Sequence, residues 1–277
     1  MYPKPFDYVT PKTLDEAIQN LQQDKAMALA GGSGLVPAMS MGRVAPALLV
    51  DLRQLTDLAG LSALPEGGWR IGALTPYATL AESQTLQENY PALAEAILGL
   101  SDPAVRNRAT IGGALAEAHP ASDVAAAMLA LKATLQVRGP AGARAIPAAE
   151  FFTGPGQTAL KAAEIIYAID LPATGKASAY EKFKNPASGY ALCGVAVCLE
   201  KVDGKIMGAQ VAITGAADYP QRLAGVEAAL VGDRGSVAAA AQVGAAKLNF
   251  VTDLAASAAY RAHLAEVLVK RALARVA

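Results

Sequence analysis

Cysteine is scarce in this sequence, which has two cysteines among its 277 residues. Cys193 and Cys198 lie five positions apart in one strand-like segment, so we expect their side chains on opposite faces of a strand. They cannot pair within that strand, and their spacing is not that of metal ligands. An iron–sulfur cluster takes four ligands, mostly cysteines, so we expect none in this chain. Both thiols are interpreted as buried, small apolar groups.

Histidine and recognisable catalytic sets are also lacking. The two histidines, His119 and His263, are too scattered to indicate a metal site. No Ser/His/Asp or Cys/His set offers a nucleophile, and no close pair of carboxylates indicates general acid–base catalysis. We therefore expect neither a catalytic side chain nor a metal ligand here, as suits a protein whose bound cofactor performs the chemistry.

The sequence has no excess of charge of either sign and no long apolar run. The 24 basic and 24 acidic residues cancel, which gives no electrostatic reason to expect nucleic acid or an anionic membrane as partner. The apolar run 35–49 is interrupted by Arg43, and no uncharged run reaches the ~18 residues of a membrane span. Residues 1–5 have no apolar signal core, so we expect a cytoplasmic protein.

Glycine, by contrast, is plentiful, with 25 residues, and two of its clusters are informative. The first consists of Ala30, Gly31, Gly32, Ser33, Gly34 and Leu35. The second consists of Thr110, Ile111, Gly112, Gly113 and Ala114. Because glycine has no Cβ, backbone N–H groups can approach a ligand there, and successive N–H groups in one concavity bind anions. Two such turns suggest a ligand with two phosphates and a long body, although a double glycine by itself is equally a tight structural turn.

Apolar spacing and turn signals give a coarse secondary structure. Helices are predicted at 14–21, 37–41, 79–86, 90–98, 123–131, 223–230, 236–247 and 255–276. Strands are predicted at 26–30, 47–52, 61–64, 69–74, 134–138, 143–146, 178–184, 192–201 and 205–213. The strands on either side of the first glycine segment predict a small βαβ-like unit, and the last three predict an antiparallel meander. We divide the chain into 1–56, 57–174 and 175–277.

The two glycine segments resemble the flavin-binding segments of the FAD subunit of molybdenum hydroxylases, the family of xanthine dehydrogenase and aerobic carbon monoxide dehydrogenase. Those segments follow the patterns A-G-G-[QT]-[SD]-L-x-P and T-[IL]-G-G-[NS]-[LI]. The resemblance continues at 71–75 and 164–172 and covers essentially the whole chain. It implies an α+β fold, in which two FAD-binding subdomains of the vanillyl-alcohol oxidase/PCMH type precede a C-terminal domain. That domain would hold a three-stranded antiparallel sheet and helices.

The same resemblance implies a binding site. The FAD diphosphate would lie on the backbone of both glycine segments. Asp123 would reach a ribose or ribityl hydroxyl, although a carboxylate at a helix start is also common for dipole reasons alone. Ile166 would touch the flavin, or be an ordinary buried strand residue. Lys184 would lie near the N1–C2 edge of the flavin, with Lys182 on the same strand face as the alternative, and Tyr190 would cover the ring.

Two positions depart from the family patterns, and one further motif is rejected. Gly34 and Ala114 stand where the family usually has polar residues, so two side-chain hydrogen bonds to the cofactor would be missing. Gly154, Gly156 and Ala159 nominally fit G-x-G-x-x-A. We reject a Rossmann interpretation there because a proline lies inside the turn and no βαβ unit surrounds it.

The resemblance also implies partners. In the family this subunit lies beside a small subunit with two [2Fe–2S] clusters and a large subunit with a molybdenum cofactor, and we expect a dimer of such heterotrimers. Electrons would pass through the clusters to FAD and on to NAD, oxygen or a quinone. The substrate, whether carbon monoxide, an aldehyde, a purine or an N-heterocycle, stays open. One alternative is a stand-alone flavin oxidoreductase of the vanillyl-alcohol oxidase or UDP-N-acetylenolpyruvoylglucosamine reductase type, and another is a scaffold that has lost FAD.

Overall fold

The computed structural model describes residues 2–100, 102–231 and 248–276. Its strands are β1 Asp7–Val9, β2 Ala26–Leu29, β3 Leu48–Asp51, β4 Leu61–Ala63, β5 Trp69–Gly72, β6 Thr134–Gly139, β7 Gly142–Pro147, β8 Phe152–Gly154, β9 Gln157–Thr158, β10 Ile165–Leu171, β11 Ser178–Lys184, β12 Ala191–Val202, β13 Lys205–Thr214 and β14 Gln221–Arg222. Its α-helices are α1 Leu14–Leu21, α2 Leu35–Ser40, α3 Tyr77–Ala81, α4 Gln84–Asn89, α5 Pro91–Leu98, α6 Pro103–Arg108, α7 Ile111–Glu117, α8 Asp123–Ala130, α9 Ala148–Phe151, α10 Ala224–Leu230 and α11 Ala258–Val276.

A three-stranded parallel sheet begins the fold, in the order β1–β3–β2. Helix α1 starts where the capping pattern predicts, because the Thr13 hydroxyl accepts from the Glu16 N–H. Its Ala17 and Ile18 are buried against β3. The βαβ-like unit around the first glycine segment is therefore confirmed, and α2 begins two residues earlier than predicted. The sequence analysis missed β1, which is short and mostly exposed.

A five-stranded antiparallel sheet follows, in the order β4–β5–β10–β6–β7. The two predicted hairpins are its outer pairs, and the largely buried β10 joins them at the centre. The single helix predicted at 79–86 is two helices, α3 and α4, because Ser83 caps the second of them. At 152–158 the chain forms the small pair β8–β9, so the rejection of a Rossmann turn there is confirmed.

The second glycine segment is a helix start, where the sequence analysis expected a turn. Thr110 is extended and caps α7, and Gly112 and Gly113 lie in the first turn of that helix. Neither glycine has a positive φ. The preceding helix α6, with Pro103 in its first turn and Asp102 as its cap, was also missed.

The C-terminal sheet is antiparallel and has the order β11–β12–β13–β14. The three predicted strands are confirmed, but the sheet has a fourth strand, because the short β14 pairs with the end of β13. Helices α10 and α11 agree with the predicted helices at 223–230 and 255–276. Helix α11 begins three residues later than predicted. The helix predicted at 236–247 lies outside the described residues.

The central strand β12 is buried on both of its faces. Cys193, Val195 and Val197 pack with apolar residues of α10 and α11, whereas Ala196 and Cys198 belong to the core that contains α5 and α8. The prediction that the two cysteines point to opposite faces is confirmed, and both are buried, free thiols. The sheet therefore lies between its own helices and the part of the chain that precedes it, which includes α5 and α8. The exact division into three domains stays a proposal.

None of the described helices combines the length and the apolar character that crossing a bilayer requires.

Candidate functional site

One cavity of about 470 Å³ brings the two glycine segments together. Its lining includes Ala30, Gly31, Gly32, Ser33, Gly34, Leu35, Thr110, Gly112, Gly113, Ala114 and Ile166. The segments touch each other beside it, since a Cβ built on Gly31 would lie 1.8 Å from the carbonyl oxygen of Arg108. A Cβ on Gly113 would lie 3.6 Å from that of Ala30. Residues far apart in sequence thus form adjacent walls of one site.

The first glycine segment leaves its amides available. The N–H groups of Gly31, Gly32, Ser33 and Gly34 make no hydrogen bond with any residue that the structure describes. Gly32 has a φ of +78°, a conformation that favours glycine, and it turns the chain from β2 into α2. Unengaged amides ahead of a helix, with the Ser33 hydroxyl among them, offer several donors to an anion.

In the second segment the N–H groups of Ile111, Gly112, Gly113 and Ala114 donate within the protein, whereas the Thr110 N–H donates to no residue that the structure describes. Ile111 N donates to Thr75 O at 3.2 Å, and Gly112 N donates to Ala73 O at 2.8 Å. Gly113 N donates to the Thr110 hydroxyl oxygen at 3.3 Å, as a capped helix requires. The donors that this segment can offer the cavity are the N–H and O–H of Thr110, with the positive end of the helix dipole behind them.

Gly112 is a glycine for reasons of packing. A Cβ there would lie 2.5 Å from Ala73 Cβ and 2.8 Å from Ala73 O. Ile111 is fully buried in the core and does not line the cavity. Among the predicted residues of this segment, Thr110, Gly112, Gly113 and Ala114 line the cavity and Ile111 does not.

Asp123 lies at the start of α8, in the wall of a smaller cavity of about 80 Å³. Its carboxylate accepts a short hydrogen bond from the Tyr180 hydroxyl. It also forms an ion pair with Lys182 Nζ at 2.7 Å. Burial raises the pKa of Asp123, and the attraction of Lys182 opposes that shift. The carboxylate thus joins α8 to β11, while it faces the smaller cavity.

The two lysines left open by the sequence have different environments. Lys182 is buried in its pair with Asp123. Lys184, two residues along β11, is exposed, and it is not among the residues that line the cavities described here. The structure therefore separates the two side chains physically, and the assignment of a flavin contact to Lys184 stays a prediction.

An aromatic pair closes part of the smaller cavity. Tyr190 stacks on His119 with ring centroids 4.6 Å apart and planes inclined by 18°. His119 Nδ1 accepts from the Ala121 N–H, so this nitrogen is the unprotonated one in the neutral ring. Burial lowers the pKa of His119, which favours that neutral form. Tyr190 is half exposed, which leaves one side of the pair accessible.

Sequence reasoning missed two charged residues that line the large cavity, Glu117 and Glu164. Glu117, the last residue of α7, lines both the large and the small cavity. The signal was present in the spacing, because Glu117 follows Ala114 by three positions and Gly113 by four. On a helix those positions share one face. Interpreting the segment as a turn concealed this relation.

Comparisons with known proteins agree with this geometry. Residues 4–174 match the family model "FAD binding domain in molybdopterin dehydrogenase", and residues 178–276 match "CO dehydrogenase flavoprotein C-terminal domain". The chain is 36% identical to the carbon monoxide dehydrogenase medium chain of Hydrogenophaga pseudoflava over 281 residues, which are 99% of this chain and 97% of the relative. It is 32% identical to the nicotine 6-hydroxylase medium subunit of Paenarthrobacter nicotinovorans, covering 96% and 95% of the two chains.

The fold also agrees with that of a solved relative. A chain of the solved carbon monoxide dehydrogenase of Hydrogenophaga pseudoflava superposes with a TM-score of 0.94 at 36% identity, covering 100% of both chains. Both family models together span nearly the full length, and the cavity lies between the two glycine segments that prompted the resemblance. This chain therefore belongs to the FAD-binding flavoprotein family of the molybdopterin dehydrogenases.

Proposed function

We propose that this chain is the electron-transfer flavoprotein subunit of a molybdenum-containing hydroxylase or dehydrogenase. In this role it takes electrons from the [2Fe–2S] clusters of one partner subunit and passes them to an external acceptor. The observation that carries the proposal is the cavity between the two glycine segments of the FAD-binding family. The lining offers anion donors at one end and apolar walls such as Ile166 further along.

The residues present fit an FAD molecule in this cavity. The free amides of Gly31 to Gly34, with the hydroxyls of Ser33 and Thr110, would hold the diphosphate. Ile166 would contact the cofactor from β10, and Asp123 would face its ribityl or ring end. Bound FAD supplies the ability to collect electrons singly and release them as a pair. The protein's own contribution is binding, orientation and exclusion of water, which explains why no catalytic acid or base is needed.

The partners follow from the same proposal. The relatives above are named as medium chains or medium subunits. We infer a small iron–sulfur subunit and a large molybdenum subunit, assembled as a dimer of heterotrimers. NAD, oxygen or a quinone would be the acceptor, and the complex would lie in the cytoplasm. The substrate would be oxidised on the large subunit.

Flavin titration of the purified chain tests this proposal. We expect the apoprotein to bind one FAD and to show no substrate turnover until the partner subunits are added. Turnover of a small substrate by the isolated flavoprotein would favour the stand-alone oxidoreductase instead. A chain that takes up no FAD would contradict the proposal and favour the scaffold alternative.

A substitution at Gly113 tests the site itself. In Gly113→Val the added side chain starts near Thr110 Oγ and Ala30 Cβ and fills the cavity between the segments. We expect a folded protein that no longer binds FAD. A matched control is Gly154→Val, on strand β8, where the atoms nearest to an added Cβ belong to the Gln157 side chain, the first of them Oε1 at 3.3 Å. Unchanged FAD affinity in Gly113→Val would overturn the assigned site.

A further inference from the structure

Glu117 occupies the junction between the two cavities. The large cavity lies along the glycine segments, and the small one lies along Asp123, His119 and Tyr190. Three residues line both cavities, namely Ser33, Ala114 and Glu117. A ligand that extends from one cavity into the other must therefore pass the Glu117 side chain.

The glycine at position 34 makes room for this carboxylate. A Cβ on Gly34 would lie 2.3 Å and 2.5 Å from the two carboxylate oxygens of Glu117. Ala114, one turn before Glu117 on the same helix face, carries only a methyl group. Positions 34 and 114 are those where the family patterns have polar side chains, so a carboxylate stands where two other polar groups are missing.

No described residue satisfies the Glu117 carboxylate. It accepts no hydrogen bond and forms no ion pair there. It also lies at the C-terminal end of α7, where the helix dipole disfavours a negative charge. Asp123, the other carboxylate of the small cavity, already has one oxygen bonded to Tyr180 and the other to Lys182. Glu117 is thus a strong acceptor that faces the site and has no donor within the described part of the chain.

The charge of Glu117 selects the part of a ligand that it can meet. A carboxylate repels phosphate but accepts hydrogen bonds from hydroxyl groups. A dinucleotide with its diphosphate on the amides of Gly31 to Gly34 and its ring towards Tyr190 places a polyhydroxy chain at the junction. On the basis of the proposed function, we propose that Glu117 binds FAD by accepting hydrogen bonds from its ribityl hydroxyls, replacing contacts that Gly34 and Ala114 lack.

The test compares FAD with ADP, which has the diphosphate and adenosine but no ribityl chain. Binding of FAD to the full-length apoprotein is measured by flavin fluorescence, and binding of ADP by calorimetry. In Glu117→Ala we expect FAD affinity to fall roughly tenfold or more, as for a hydrogen bond to a charged group. ADP affinity should stay within about twofold of the unmodified protein. Glu117→Gln keeps an acceptor oxygen without the charge. Its FAD affinity should lie between that of the unmodified protein and that of Glu117→Ala.

Controls separate this role from others. Glu82→Ala removes an exposed glutamate that lies outside both cavities and should change neither affinity. The apoprotein of Glu117→Ala should melt no lower than the unmodified apoprotein, because the carboxylate bonds to none of the residues that the structure describes. Unchanged FAD affinity overturns the proposal. An equal rise in the FAD and ADP affinities of Glu117→Ala would also overturn it, because it would show that Glu117 only repels phosphate. An equal fall in both affinities would overturn it as well. An unmodified chain that binds neither FAD nor ADP would instead contradict the proposed function.

Discussion

At the scale of single residues, two glycines of the site are required by packing, whether or not a ligand is bound. Gly31 lies directly on the carbonyl of Arg108, and Gly112 lies directly on Ala73. Both contacts bring the walls of the cavity together, so a side chain at either position would push the walls apart. The glycine pattern that indicates cofactor binding is therefore partly a pattern of backbone packing.

Replacement of Gly31 tests that packing role. In Gly31→Ala the new Cβ would lie 1.8 Å from a backbone oxygen, which cannot rotate away as a side-chain end can. We expect the free energy of unfolding of the apoprotein to fall by about 1–3 kcal/mol, as for an overpacked core. Urea denaturation measures it, with Gly154→Ala as the control that should change little. Equal stability of the two variants would contradict the packing role.

At the scale of elements, a buried ion pair joins α8 to β11. Asp123 and Lys182 are each about nine-tenths buried, and Tyr180 donates to the same carboxylate. Breaking a buried pair by removing one partner leaves an uncompensated charge. We expect Lys182→Met to destabilise the protein by about 3–5 kcal/mol, the usual range for such a loss.

Lys184→Met is the matched comparison for that variant. Lys184 is exposed, so its loss should leave the denaturation midpoint nearly unchanged. If the family resemblance holds at this position, flavin affinity falls in Lys184→Met while stability does not. A large loss of stability in Lys184→Met, or none in Lys182→Met, would contradict the arrangement of β11 described above.

A second polar link, between β7 and the start of β10, makes stability depend on pH. Arg144 donates to both oxygens of Glu164 at 2.8 Å, and the Lys161 N–H adds a third bond at 2.7 Å. The bonds from Arg144 hold the pKa of Glu164 below its usual value. A carboxyl group with a lowered pKa stabilises the fold above its ordinary pKa of about 4.5, and this stabilisation is lost as the pH falls through the folded value.

The variant Glu164→Gln tests this link. At pH 7 we expect its free energy of unfolding to be about 1–2 kcal/mol lower than that of the unmodified apoprotein. The loss is modest because the Arg144 side chain is partly exposed and the pair is screened. The difference should shrink as the pH is lowered below about 4. Denaturant titrations at several pH values measure it, and a difference that is constant with pH would contradict the assignment.

At the scale of the whole molecule, the C-terminal sheet completes the core of the FAD-binding half. Helix α8 is buried along its whole length, and Tyr180, Ala196, Cys198 and Ala212 from the C-terminal sheet belong to the same apolar cluster. Arg275, near the end of α11, adds bonds to Glu95 on α5 and Glu181 on β11. The C-terminal domain is thus a structural part of the unit that holds the cavity.

Truncation tests this dependence. A fragment of residues 1–174 loses both partners of Asp123 and exposes the apolar surface of α5 and α8. We expect it to bind a hydrophobic dye and to aggregate, with no cooperative unfolding transition, whereas the full chain unfolds cooperatively. Light scattering and calorimetry distinguish the two outcomes. A stable, monomeric fragment with full FAD affinity would show that the two halves are independent.

The sequence by itself determined the local elements and the class of ligand. The apolar runs of β12 and β13 and the capping signal at Thr13 are short-range features, so they could be interpreted without knowledge of the rest of the chain. The family patterns in the two glycine segments indicated FAD for the same reason. The short strands β1 and β14 escaped detection, because two or three residues carry too little periodicity.

Only the tertiary structure decided which groups of those segments are free to bind. The amides of Ile111 and Gly112 donate to residues 75 and 73, and Lys182 is paired with Asp123. Glu117 lies beside Gly34 and has no donor among the described residues. Each outcome depends on partners that are distant in sequence and meet only when the sheets pack. A hydrogen-bonding group is available to a ligand when the fold supplies no partner of its own, and that balance is settled by long-range contacts.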